Sequence, residues 1–593
     1  MLSFKFFLLT TTLCISHVQG KYNLKVKKLG TSPTLPVSYV DMPLDHFTTN
    51  PTTFQNRYFV NDAYYKPGGP VIFFDGGESG VDGLISYLID ENGKADGAFT
   101  SLAKQFNGLL ILWEHRYFGE SYPAPRPTNQ TDKGDSLGEY YKYLTTEQAL
   151  EDVAVFAKNF TLASQPNQNL RPSSVPWIMV GASYPGVRSA WMRLRNPEVI
   201  FASLSSSAPV QLTVDFWEYY VAIERALVDY GYGSCLTDLH AFASQLSNGA
   251  NQRNVTMIEN FLAIATQNTD GYVPSRANTD DAWNNRTYLL QSTYETFMPG
   301  RFQVSERLLP NCRDLTSQNY TNDTSATAAD FNDGIVAAFG IDYATEVFAQ
   351  VVHDNNFEIN ANFSSDTTTY DYAAADIYSW QYLTCMEFGF WQVANMSRPT
   401  NIALGLNNAS DIAWNMASCN TSFGATSSSG PNTTALLTKY KGWSMNPTNI
   451  LSINGKYDPW RALSVASTVD ASTPNRNLTT AIPTANSPSP NGEIFGMVIA
   501  NGSHANDFWY NATFMTDTAQ NKDIIAAHNL FESALSSWLP AYTTFVPAPT
   551  SAPTAAAAAT ATATQTKKSA AGRTNVKLGS LIAGLLAVLV LSI

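Results

Sequence analysis

Charge is scarce in this 593-residue chain: Asp, Glu, Lys and Arg make up 14% of it, and the balance is acidic, with 36 Lys and Arg against 49 Asp and Glu and a net charge of −13. No Lys/Arg-rich cluster stands out, which argues against a phosphate-binding surface and so against a nucleic-acid partner. Cysteine is scarcer still, at five, and histidine numbers only seven. Long hydrophobic runs are also missing: the two apolar ends fall short of the roughly 20 residues that a membrane-spanning helix needs.

The ends read as processing signals. Residues 1–20, "MLSFKFFLLTTTLCISHVQG", combine one Lys, a short apolar stretch and a small residue at the cut, the pattern of a secretory signal peptide. At the other end Leu578 to Ile593 is apolar to the last residue, with Ser569, Ala570, Ala571 and Gly572 upstream. This resembles a GPI-attachment signal over 571–593, and a single-pass anchor is the second reading. The Thr/Ala/Pro-rich segment 541–570 has too few large apolar side chains to fold and reads as a stalk. The expected location is the secretory pathway and then the outside or surface of the cell, touching membrane only through a lipid anchor.

Cys14 leaves with the signal, so Cys235, Cys312, Cys385 and Cys419 remain. They form no C-x-x-C pair and have no close His partner, so two disulfides are expected rather than a zinc site, with three pairings open. No metal or organic cofactor is implied. Asn-x-Ser/Thr sequons at Asn129, Asn159, Asn254, Asn285, Asn362, Asn395, Asn408, Asn432, Asn477 and Asn511 point to a glycoprotein. A further sequon at Asn501 abuts a histidine discussed below and is expected to stay bare.

Short apolar runs bounded by turn residues read as buried strands at 70–75, 109–114, 177–182, 201–208, 449–455 and 494–502. Helical stretches alternate with them, such as 145–160, whose start Thr145 or Thr146 is placed to cap. Alternation of this kind implies an α/β fold, a mostly parallel sheet with helices on both faces. Between 211 and 440 the pattern turns helical and holds all four remaining cysteines, which reads as a large cap inserted between a first part, 21–210, and a second part, 441–540. An amphipathic helix at 519–539 closes the fold.

"GASYPG" (181–186) places Ser183 between a strand and a helix, the layout of a nucleophile elbow. Such a turn lifts the hydroxyl out of the sheet and leaves backbone N–H groups, that of Tyr184 among them, facing the space where an oxyanion forms. The chain departs from G-x-S-x-G by carrying Pro185 and then Gly186, which the first turn of a helix tolerates. Serine needs a base, and the base a carboxylate. His17 leaves with the signal, His46 precedes the first clear strand, His240 and His353 lie in the insertion, and His528 sits in the last helix. His504, just after the final strand, is best placed. Asp458, after the strand before it, is the expected acid; the plain alternative is a turn residue before Pro459. Asp507 competes but lies on the same loop as His504. Ser, Asp, His is the chain order of α/β-hydrolases. A second oxyanion donor is expected from the glycine-rich "FFDGGESGVDG" (73–83), at the N–H of Gly77 or Glu78.

Five segments, "WEHRYFGESYP" (113–123), "YLTTEQALEDVAVF" (143–156), "GASYPG", "WQYLTCMEFGF" (380–390) and "NGKYDPW" (454–460), together resemble the family of prolyl carboxypeptidase and dipeptidyl peptidase II. The resemblance runs from about 35 to 540. It implies a serine peptidase that cleaves after proline, an α/β-hydrolase with a helical cap, and Ser183, Asp458 and His504 as nucleophile, acid and base. It also implies the pairs Cys235–Cys312 and Cys385–Cys419. In "EHRYFGES" a buried Glu–Arg pair that braces the loop is the favoured reading over contact with a ligand. Trp380 and Trp460 are candidates for a proline pocket, although aromatic runs are more often core, and Glu387 for a substrate terminus. Expected partners are peptides or proteins; the oligomeric state is open. Two other readings remain at this point, an esterase or lipase of the same fold and a catalytically silent surface binding protein.

Overall fold

The apolar runs become strands buried on both faces. The computed structural model describes residues 35–89, 99–124, 135–266, 278–297, 309–315, 333–361, 370–394, 402–406, 412–427, 429–468, 476–509 and 519–543. These form one sheet of nine strands in the order β1-β2-β4-β3-β5-β6-β7-β9-β8. The strands are β1 Val37–Pro43, β2 Thr53–Asn61, β3 Val71–Asp75, β4 Leu109–Trp113, β5 Trp177–Ala182, β6 Ala202–Ser206, β7 Ile450–Gly455, β8 Leu478–Thr479 and β9 Ile494–Ile499. β2 is antiparallel to both β1 and β4, and every other pairing is parallel.

The strand period of two divides the core. Trp177 and Met179 of β5 join one apolar cluster, and Ile178 and Val180 join the other. On the first face lie helices that also carry the site. Among the described residues the helices are α1 Thr100–Phe106, α2 Asp135–Tyr141, α3 Thr146–Asn159, α4 Tyr184–Arg195, α5 Tyr219–Asp229, α6 Gly233–Asn251, α7 Val255–Ala265, α8 Asp280–Phe297, α9 Leu309–Leu315, α10 Ile335–Phe339, α11 Ile341–Ala361, α12 Tyr370–Leu383, α13 Ile412–Phe423, α14 Thr433–Tyr440 and α15 Ala519–Trp538. α3 and α4 cover the first face, α1 and α15 the second. In α15 the buried residues Ile524, Ala527, Phe531, Ala534, Leu535 and Trp538 recur at helical spacing. Each large one gains about 1.5–3 kcal/mol by leaving water.

Every described α-helix from α5 to α14 lies between β6 and β7 in the chain, so the sheet carries a helical cap. This is the α/β-hydrolase architecture. Two disulfides lie in the cap, Cys235–Cys312 between α6 and α9 and Cys385–Cys419 between the segment after α12 and α13, each with a Cα–Cα distance of 5.6 Å. Both pairings agree with the resemblance.

Three strands lie outside the apolar runs. β8 has two residues. β2, "TFQNRYFVN", turns Asn56 and Arg57 inward, where Glu114 receives Arg57 and the Glu114 carbonyl receives Asn56. Buried polar partners hide such a strand from a hydropathy reading. Thr145 is the residue that caps α3, accepting the N–H of Gln148.

Candidate active site

Ser183 sits between β5 and α4 at φ 63°, ψ −130°, a conformation that costs a non-glycine residue on the order of 1–3 kcal/mol. Neighbours hold it there. Its N–H donates to the Ser206 carbonyl at the end of β6, 2.9 Å away, and its own carbonyl accepts the N–H of Val187 at 3.0 Å. The turn is tight enough to need glycine on both sides: a Cβ on Gly181 would lie 2.3 Å from the Pro185 carbonyl oxygen, and one on Gly186 would lie 2.5 Å from that of Ser206. Gly186 therefore serves the close approach to β6 that the shorter motif would ask of position 185.

Asp458 follows β7 and His504 follows β9, and the two meet. His504 Nδ1 lies 2.8 Å from Asp458 Oδ1, with both side chains fully buried. An ionised carboxylate only accepts, so Nδ1 carries the hydrogen and Nε2 keeps its lone pair in the neutral ring. The same Asp458 oxygen accepts the N–H of Trp460 at 2.9 Å and caps the turn that begins at Pro459. Asp458 is thus a turn residue, and the same turn aims its carboxylate at His504. Asp507 goes elsewhere: its Oδ1 accepts the Ser206 hydroxyl at 2.5 Å, and burial, with the charge of Asp458 adding, pushes its carboxyl up to about 6. The serine turn and the histidine loop lean on adjacent residues, since Ser206 receives Ser183 and the Ser207 hydroxyl receives the N–H of Ala505 at 2.9 Å. Ser183, Asp458 and His504 all stand at the C-terminal edge of parallel strands, the edge where ligands collect in such sheets.

An aromatic wall runs from the serine turn to the histidine. Ring centroids are 5.4 Å apart for Tyr184 and Trp380, 5.4 Å for Tyr184 and Phe388, 5.7 Å for Phe388 and Phe390, 5.3 Å for Phe390 and Trp460, and 6.3 Å for Trp460 and His504. Phe216 backs Trp460 at 5.1 Å. The cap supplies Trp380, Phe388 and Phe390, while Tyr184 comes from the start of α4 and Trp460 from the turn after β7. Phe390 is held at φ 62°, uncommon for an aromatic residue, by its N–H donating to the Thr213 carbonyl at 2.7 Å. Glu387 lies beside this wall. Its Oε2 accepts both the N–H and the hydroxyl of Thr146, at 2.9 and 2.7 Å, so one oxygen is committed to the N-terminus of α3, and burial pushes the carboxyl up to about 7.

The glycine-rich turn after β3 narrows the expected oxyanion donors. Gly77 N–H donates to Asp75 Oδ1 at 3.0 Å and therefore points back to the strand end.

The family model for Serine carboxypeptidase S28 matches residues 42–481, well over half of the chain. The chain belongs to this family. By family it is a serine-type peptidase. The matched span includes Ser183 and Asp458 and ends before His504. An Arthroderma benhamiae protein described as "Probable extracellular serine carboxypeptidase" is 24% identical over 472 residues, 75% of this chain and 62% of its own length, so this chain spans less than two thirds of that relative. Serine protease vicPb of Bipolaris victoriae is 24% identical over 449 residues, 72% of this chain and 77% of its own. The lysosomal Pro-X carboxypeptidase of Pongo abelii is 34% identical over 194 residues, 31% of this chain and 35% of its own.

In this S28 chain the "EHRYFGES" segment divides between bracing and the site. Glu114 is fully buried and accepts from Arg57, from the Ser121 hydroxyl and from the N–H groups of Val81 and Glu120. Arg116 forms a two-pronged pair with Asp152, 2.6 Å on each arm, and donates to three backbone carbonyls. Both are braces. His115 instead reaches beneath the serine turn: Nδ1 donates to the Arg116 carbonyl at 2.7 Å, leaving Nε2 to accept the Tyr184 hydroxyl at 3.0 Å, and burial with Arg188 nearby keeps the ring neutral. Of the sequon asparagines, Asn159, Asn254, Asn432 and Asn477 are not buried, and Asn254 and Asn432 cap helices with their side-chain oxygens. Asn285 lies in α8. Asn129, Asn362, Asn395, Asn408 and Asn511, the signal at 1–20, the stalk beyond 543 and the attachment signal lie outside the described residues. The described residues contain no cluster of His, Cys, Asp and Glu able to hold a metal and no helix long and apolar enough to cross a membrane.

Proposed function

We propose that the protein is a secreted peptidase that cleaves the bond following a proline residue, with Ser183 as nucleophile, His504 as base and Asp458 as its orienting acid. The observation that carries this reading is the buried His504–Asp458 pair, 2.8 Å apart, on the same strand edge as a serine held at φ 63°. Ser183 Oγ adds to the proline carbonyl carbon as His504 Nε2 takes its proton. The N–H groups of Tyr184, at the start of α4, and Glu78 stabilise the oxyanion. Collapse expels the amine, which takes the proton from His504, and water then releases the acyl group by the same route. Asp458 keeps the imidazole in the productive tautomer and balances the imidazolium. The aromatic wall of Tyr184, Trp380, Phe388, Phe390 and Trp460 supplies flat apolar surface suited to a proline ring.

The described helices between β6 and β7 serve as the cap, which brings Trp380, Phe388 and Phe390 to this wall, and peptides or proteins are the partners. The leader and tail patterns, together with relatives named as extracellular and lysosomal, support passage through the secretory pathway and a lipid anchor at the surface.

The test is mass spectrometry of one proline-containing peptide, with each terminus free or blocked, digested at acidic and neutral pH beside Ser183→Ala. Cleavage after proline that disappears in the variant is expected, and the blocked terminus that stops it names the mode. Folded protein that cuts none of the peptides overturns the reading.

A further inference from the structure

The turn that follows β3 is fastened to the helix that follows Ser183 by a charge pair shut off from water. Asp75 ends β3 and Arg188 lies just past the first turn of α4; both side chains are fully buried, and Arg188 Nε donates to Asp75 Oδ2 at 2.6 Å. The second Asp75 oxygen accepts Gly77 N–H at 3.0 Å. Gly77 has φ +67°, and a Cβ there would lie 2.3 Å from Pro185 Cγ, so the turn also rests on the residue two places after Ser183. Arg188 Nη2 donates to the Ala149 carbonyl at 3.3 Å, and the guanidinium lies 5.7 Å from the centre of the Tyr184 ring. The far end of the turn is held from the cap, where Asp376 accepts Gly80 N–H at 2.8 Å.

A buried ion pair is a poor source of stability, because desolvation offsets most of the attraction and an apolar pair of similar shape often does as well. Its effect here is geometric. Oxyanion donors must stand about 3 Å from a charge that exists only in the transition state, so their mutual placement decides their worth. One donor belongs to the helix, at Tyr184, and the other to the turn, at Glu78. Asp75 joins the two, since one oxygen fixes the Gly76–Gly77 peptide, one before the peptide that carries the Glu78 N–H, and the other grips α4 through Arg188.

We infer that Asp75 and Arg188 are positioning residues for the oxyanion hole, setting the distance between its helix donor and its turn donor. The inference rests on the peptidase reading above. It is tested with Asp75→Asn/Arg188→Met, which keeps both shapes, keeps an acceptor for Gly77 and leaves no charge unpaired. Steady-state kinetics on a proline peptide separate kcat from KM, and a peptidyl-proline boronate, whose adduct with serine is tetrahedral, reports on the oxyanion hole itself. The expected result is a fall in kcat of about 10- to 100-fold, short of the full loss of a donor, with KM changed by less than about threefold and boronate affinity falling in parallel. A folded double variant with kcat and boronate affinity within about twofold of the wild type overturns the inference. If the double variant does not fold, Arg188→Lys takes its place; it keeps the charge without the fork. A several-fold loss in kcat at constant KM then supports the inference, and unchanged kcat overturns it. A wild-type protein with no Ser183-dependent cleavage overturns the peptidase reading, and this inference with it, before any variant is compared.

Discussion

Replacing Asp507 by asparagine should make the protein's stability less dependent on pH, by an amount the structure sets. Asp507 is 2% exposed, and one oxygen accepts the Ser206 hydroxyl. The titratable groups facing it are Tyr87, His528, kept neutral by burial, and the carboxylate Asp458. None of these favours a second negative charge. The carboxyl accordingly moves from its ordinary 3.8 to about 6 in the fold, chiefly through burial. Below pH 3.8 the group is protonated in both folded and unfolded chains. Above pH 6 it is ionised in both, and the fold bears the cost of the buried charge. Stability present in acid is therefore lost as pH rises through this window, by about 3 kcal/mol. The amide in Asp507→Asn cannot ionise yet still accepts from Ser206, so the variant should gain about 3 kcal/mol on the wild type between pH 4 and pH 7.5. For a chain of this size that is on the order of 3 °C in Tm. Thermal unfolding of both proteins at half-unit steps of pH is the assay; Glu387, pushed up to about 7, titrates in both and cancels in the difference. A Tm difference that stays constant within about 1 °C from pH 4 to pH 7.5 refutes the reasoning.

Asp458→Asn keeps an acceptor for the Trp460 N–H and should fold normally, yet lower kcat by on the order of 10⁴ because His504 loses its tautomer control; a loss under tenfold would remove Asp458 from the proposed triad. Gly186→Ala places a Cβ 2.5 Å from the Ser206 carbonyl oxygen, so both labelling of Ser183 by a fluorophosphonate and Tm should drop, and retention of both would contradict the tight-turn account. Removing the Cys385–Cys419 bridge, which spans 34 residues, should cost about 3–4 kcal/mol in denaturant unfolding, read against the wild type under oxidising conditions. Asn501 is exposed, but Gly502 lies under Tyr457, whose N–H it accepts at 2.9 Å, and Ser503 is buried. Glycopeptide mapping should find this site bare in active protein, and full occupancy would overturn that expectation.

The sequence by itself determined the elements whose reasons are local. Runs such as "PVIFF" and "WIMVGA" are apolar throughout because their strands are buried on both faces, and "GASYPG" shows its sharp turn through the small residues that the turn requires. The meeting of His504 and Asp458 was suggested by the sequence, since few histidines exist and each of the two follows a recognisable strand. Tertiary structure decided everything that depends on two distant segments meeting. Arg57 and Asn56 make sense in β2 only once Glu114 stands opposite them. Asp75 and Arg188 are 113 residues apart, and neither stands out until β3 and β5 lie side by side and bring the turn against α4. Glu387 is committed to Thr146 only because the cap folds back on the start of α3. Periodicity and turn chemistry are written in neighbouring residues, whereas a buried polar group takes its meaning from a partner that the chain reaches only after it has folded.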